Sequence, residues 1–179
     1  MFARLLAVFA LLFAFAGSAS AEVKIATVDF QRAINDVGEG ATARTKLESM
    51  YSGKKAAVDQ LKTSFEKLKT DYDKQSVILS DAAKQQKQQE LQLAYDKYQQ
   101  AAQQAEGEMQ QAYMGAMETL IEKMKKITQT LAAEKGYTLV VEINEGGVIY
   151  ASPTIDITDE LIKRYNAANP SSAPAAPKK

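Results

Sequence analysis

The chain has 179 residues, with 22 Lys and Arg against 22 Asp and Glu, and it contains no His, Cys or Trp. That composition excludes imidazole acid–base chemistry near neutral pH, thiolate nucleophiles, metal sites built on His or Cys, and disulfides. The balanced charge also removes the basic surface that nucleic-acid phosphates demand, so no nucleic acid partner is expected, and no motif calls for a cofactor.

In chain order, Met1 to Ala21 reads as a cleavable secretory signal peptide: Arg4, an apolar run from Leu5 to Ala16, then Ala19-Ser20-Ala21. A run of twelve residues is too short to cross a hydrocarbon core of about 30 Å. The mature chain is therefore expected to begin at Glu22 and to be exported. Without the leader it carries 21 basic and 22 acidic groups, a net of −1. It keeps 10 Leu, 10 Ile, 8 Val and 2 Phe among 158 residues, a poor supply for a compact core but a strongly periodic one. An elongated shape follows.

Residues 22–39 open with a β-branched stretch, Val23 to Phe30, expected to form a first body strand through Ile25 and Val28 and to lead into the next element. Residues 40–135 are then dominated by two apolar seams. Leu47, Tyr51, Lys54, Val58, Leu61, Phe65, Leu68 and Tyr72 alternate steps of four and three, the heptad spacing of one long helix. After Ser80-Asp81, two good helix-capping residues, a second seam runs through Leu91, Tyr95, Tyr98, Ala102, Ala105, Met109, Tyr113, Met117, Leu120, Met124, Ile127 and Leu131 to a Gly136 C-cap. An antiparallel hairpin requires facing residue numbers to add to a constant. Leu47 with Tyr113, Val58 with Ala102 and Phe65 with Tyr95 share one such constant, and Leu61 with Tyr98 and Leu68 with Leu91 differ from it by one. This places the turn at Leu79 to Asp81 and gives an arm roughly 60 Å long.

Residues 136–168 read as the rest of a small body. Thr138 to Asn144 and Val148 to Ala151 flank Asn144-Glu145-Gly146-Gly147, the signature of a β-hairpin, with Leu139, Val141 and Ile143 on one face and Val148 and Tyr150 on the returning strand. Thr158 is placed as the cap of a short helix whose Asp159 and Glu160 suit its positive end. Residues 169–179, NPSSAPAAPKK, have the composition of a disordered tail. The fold class is α+β, mostly α: a long antiparallel coiled-coil hairpin on a small β body. Three short strands make an inadequate sheet, so an oligomeric barrel with strands from several subunits is expected.

Two segments have specific character, KIATVDFQRAINDVGEG at Lys24 to Gly40 and GYTLVVEINEGGVIYASPTIDITDEL at Gly136 to Leu161. They closely resemble the Skp/OmpH family of periplasmic chaperones. The resemblance implies a homotrimer with a β-barrel body and three arms around a cavity, an ATP-independent holdase for unfolded outer-membrane β-barrel proteins. It implies no catalytic residues. Relatives with clustered basic residues are linked to lipopolysaccharide or lipid contact; here the second helix is Gln-rich, including Gln99, Gln100, Gln103, Gln104, Gln110 and Gln111, which weighs against such contact.

For a holdase, the informative residues are apolar groups that the seams do not absorb. Val77, Ile78 and Leu79 are consecutive near the turn, where successive helical residues point about 100° apart, and Leu93 and Met50 lie off the seams; these are the candidate client contacts. The seam aromatics are assigned to the hairpin core instead. Gly53 and Gly107 fall at one level of the arm and mark a candidate hinge, with close helix packing as the competing explanation. Asp29 is assigned to a strand end and Asp159 to a helix dipole, so neither supports an enzyme. The alternative function is a coiled-coil hairpin adaptor or structural protein of the cell envelope, though such adaptors place substantial β domains on both sides of the hairpin.

Overall fold

The computed structural model describes residues 23–170; the segment read as a signal peptide and all but the first two residues of the expected tail lie outside them. A strand, β1 (Ile25–Val28), leads through Asp29 into α1 (Phe30–Asp36). Val37 then separates α1 from α2 (Gly38–Gln75), which is paired with the 55-residue α3 (Asp81–Lys135). The chain closes with β2 (Leu139–Glu142), a 3-10 turn at Pro153–Ile155 and α4 (Thr158–Ala168).

Two helices form because the seams match the helical period, and their ends follow local chemistry. Ser80 accepts a hydrogen bond from the Ala83 N–H at 3.4 Å and starts α3. Gly136 ends it in the left-handed region at φ 70°, and the Tyr137 N–H returns to the Ala132 carbonyl at 2.9 Å. The connection occupies 76–80, slightly earlier than the expected Leu79 to Asp81. Among the described residues no helix is long and apolar enough to cross a membrane.

The body differs from expectation in three places. Asp29 ends the first strand early, because its carboxylate accepts from the Arg32 N–H at 2.8 Å and caps α1, an element the strand reading did not contain. Thr158 is the first residue of α4 and not its cap: Asp156 accepts from the Thr158 N–H at 2.8 Å, and the Thr158 hydroxyl accepts from the Asp29 N–H at 2.9 Å. Finally, the expected β-hairpin is replaced by a parallel pairing of β1 with β2, Ile25 opposite Leu139 through Val28 opposite Glu142. The turn after β2 closes through Gly146 N–H to the Glu142 carbonyl, and the chain then crosses to bridge Thr27 with Asp156. Val148 to Ala151 consequently forms no strand in the single chain, Ile143 lies in the turn, and Tyr150 is exposed.

The core sits where α1, α4 and the base of α3 cover this sheet. Ala26 and Val28 of β1 are buried against Ala33, Ile34, Val37, Leu120, Met124, Leu131, Ile157, Leu161 and Tyr165, with Val140 packed beside them. Val140 and not its neighbours Leu139 and Val141 therefore faces inward; Leu139 and Ile25 look outward.

Candidate functional site

Between Gly40 and Leu120 no residue of the hairpin is fully buried, so the arm is a two-helix ribbon with a half-covered seam. Its register is the expected one. Phe65 and Tyr95 pack with tilted rings, centroids 5.4 Å apart, and the Gln88 side-chain amide donates to the Tyr72 hydroxyl at 3.0 Å, both across the hairpin. Lys54, the polar intruder in the first seam, is paired with Glu108 of the partner helix, whose carboxyl it holds below its ordinary range, helped by Gln104. The pair is solvent-accessible and contributes little stability.

The candidate contacts separate under the geometry. Val77 and Ile78 are 87% and 85% exposed on the connection at the arm's end, and Leu93 is 69% exposed on α3. Leu79 is half-buried. Met50 is also half-buried while Tyr51 is largely exposed, so these two exchange the roles the heptad spacing gives them. Both border the seam, three and four residues after Leu47. Tyr51 lies along a cleft of about 300 Å³ floored by Val58, Ala102, Ala105 and Met109, where two alanines are too short to fill the seam. Exposed Tyr113 and Met114 were not among the sequence candidates as free apolar groups. Met114 falls outside the second seam's spacing by one residue, a signal that was available.

Gly53 and Gly107 both face solvent, and a Cβ built on either meets nothing within 4 Å. Close helix packing therefore does not explain them. They flank the same level as the alanine cleft, where the arm has weak helix formers outside and a hollow seam inside.

At the arm's root, Phe30, Ile34, Met114, Met117 and Ile121 line an open groove of about 650 Å³. Behind it a polar cluster joins three helices. The Glu39 carboxylate of α2 accepts from Lys123 Nζ of α3 at 2.6 Å and from the Tyr165 hydroxyl of α4 at 2.7 Å. Burial pushes the Glu39 carboxyl up, but the two hydrogen bonds and the Lys123 charge outweigh it and hold the group below the ordinary carboxylate range. Burial first, and then the Glu39 contact, push the Tyr165 phenol well above its usual value. A carboxyl lowered in the folded state adds stability above its unfolded pKa and loses it as pH falls through the folded one. Protection of the amides at the start of α2, taken relative to their intrinsic exchange rates, is thus expected to be unaffected by this group above about pH 5 and to fall below about pH 4.3; Glu39→Gln should remove that contribution to the pH dependence.

Asp159, assigned to a helix dipole on sequence grounds, meets Asp156 at the side chain of Arg32. Its guanidinium reaches Asp159 at 2.5 Å and Asp156 at 3.4 Å, while Asp29 and Asp156 spend their oxygens on helix starts. Among the described residues no group of three or more acidic side chains is placed to hold a metal ion.

The family model for outer membrane protein (OmpH-like) matches residues 24–165. The chain belongs to the OmpH-like family. The match spans both specific segments and the whole hairpin. Among solved structures, an OmpH-like chain from Caulobacter crescentus CB15, described as a candidate outer membrane chaperone, superposes with a TM-score of 0.75 at 16% identity, covering 92% of this chain and 97% of that one. At that identity the likeness establishes the fold: a long helical hairpin on a small α+β body. No curated protein is matched.

Proposed function

We propose that this OmpH-like protein is an ATP-independent periplasmic holdase that keeps unfolded outer-membrane β-barrel proteins from aggregating in a cavity between helical arms. The observation that carries the reading is the arm itself, which buries no side chain completely while it displays large apolar groups at separated levels, Val77 and Ile78 at its end, Leu93 and Met114 along α3. Such dispersed, individually weak contacts retain an apolar segment without fixing its conformation. The description of the Caulobacter crescentus chain as a chaperone supports the same role. The leader read at Met1 to Ala21 supports export, and the outer edge of β2 together with the uncovered Ile149 and Tyr150 supports a homotrimer that completes the body. The Gln-rich α3 argues for little contact with lipopolysaccharide or lipid.

Purified mature chain mixed with urea-denatured outer-membrane β-barrel protein and diluted without nucleotide should yield a soluble complex on size exclusion. A client found only in the pellet overturns the reading. Serine at Val77, Ile78 and Leu93 together is expected to weaken retention by about tenfold, since even partial burial of three apolar side chains exceeds 1.4 kcal/mol. The arm's thermal stability should be unchanged, because none of the three is packed.

The glycine pair acts as a soft point through which the arm adapts to clients of different size. Gly53→Ala with Gly107→Ala should stabilise the arm by about 1 kcal/mol per site, there being no clash to offset the propensity gain. It should also narrow arm-to-arm distance distributions measured by spin labelling. Unchanged distributions would exclude the hinge.

A further inference from the structure

α2 is held to the body in an unusual way. The base of α3 is anchored by Leu120, Met124, Thr128 and Leu131, all buried, whereas α2 contributes only Gly40 to the buried set. Its first turn has no cap of its own, since Val37 offers no side-chain acceptor. The missing acceptor comes from α4 instead, and with it a donor to Glu39. Asn166 Oδ1 takes the Gly38 N–H at 3.0 Å, and the adjacent Tyr165 donates its hydroxyl to Glu39 at 2.7 Å. Two successive residues of the last helix thus grip the first two residues of the arm.

Tyr165 is fully buried, so its hydroxyl is fixed in space by the core around Leu161 and Ile157. Lys123 completes the tie by holding the other Glu39 oxygen from α3. The apolar core therefore sets where α3 leaves the body, whereas at α2 the polar contacts act together with the close approach of Gly40 to α1.

We infer that Tyr165 and Asn166 form a clamp that fixes the angle of the arm on the body, making α4 the positioning element of a hairpin to which it does not belong. This goes beyond the holdase reading and does not depend on it, since the clamp acts on the empty arm. Removing a hydrogen bond to a charged group raises the population of the displaced arm by about tenfold or more.

The chain has no native cysteine, so cysteines introduced at the exposed Ser64 of α2 and Lys163 of α4 are unique labelling sites. Spin-labelled full-length mature chain, diluted into unlabelled chain to isolate one labelled copy per assembly, should give one narrow distance distribution. Tyr165→Phe with Asn166→Ala should broaden it while the far-ultraviolet helical signal is retained, an effect that a loss of global stability alone would not produce well below the melting temperature. If the double variant does not fold, Asn166→Ala alone carries the test, because that residue is exposed and its loss opens no cavity. An unchanged distribution in a folded variant overturns the clamp.

Discussion

Gly40→Ala is expected to destabilise the body by about 3 kcal/mol or more, the opposite sign from the arm glycines. A Cβ at Gly40 would overlap the Ile34 carbonyl oxygen, with the Ile34 carbonyl carbon at 3.0 Å and Val37 Cγ2 at 3.3 Å. The first obstruction is backbone, which cannot rotate away as a side chain does. α2 would have to lift from α1, and that movement would draw Gly38 and Glu39 from Asn166 and Tyr165. The intrinsic helix propensity of alanine favours the substitution by about 1 kcal/mol, so a measured loss isolates the steric term. Urea unfolding followed by circular dichroism gives the value, and a stability equal to or above that of the parent would show that α1 and α2 do not pack as described.

Leu161→Ala is expected to cost about 2–5 kcal/mol. Leu161 is completely buried on α4 within a core that contains eleven buried apolar residues among those described. A typical domain has about 5–15 kcal/mol in total, so one cavity removes a large share of what holds the body together. The arm has no buried residue of its own to compensate. Thermal melts should therefore shift down substantially, whereas the similarly apolar Leu93→Ala, at an exposed position, should change stability by less than about 0.5 kcal/mol. Equal effects at the two sites would contradict the division between a packed body and an open arm.

The hairpin was legible because its determinants are local and repetitive. Each seam is a run of steps of three and four, and the requirement that Phe65 face Tyr95 and Leu47 face Tyr113 tied the two together across the chain. Ser80 and Gly136 were legible for the same reason, as caps are specified within a few residues. Met50 and Tyr51 were not separable by spacing, because both positions border the seam. α1 carried a readable signal, Asp29 ahead of Phe30, Ala33, Ile34 and Val37, which the β-branched VKIATVDF stretch obscured.

The body was less legible because its contacts are long-range. Nothing near Leu139 indicates that its strand pairs in parallel with Ile25, more than a hundred residues away, and the glycines at 146 and 147 suit a hairpin as well as the turn that forms. The grip of Tyr165 and Asn166 on Glu39 and Gly38 has no sequence signature, since it joins ordinary residues from opposite ends of the chain. Similarly, the openness around Gly53 and Gly107 required the structure, because sequence alone cannot distinguish a glycine that admits a neighbour from one that faces water.

The central claim, that the arms hold unfolded outer-membrane proteins without nucleotide, is tested most directly by light scattering. A denatured outer-membrane β-barrel protein is diluted into buffer with and without purified mature chain, no ATP being present. The account predicts that scattering is suppressed at stoichiometric amounts of the chain; scattering that rises equally in both samples would contradict it.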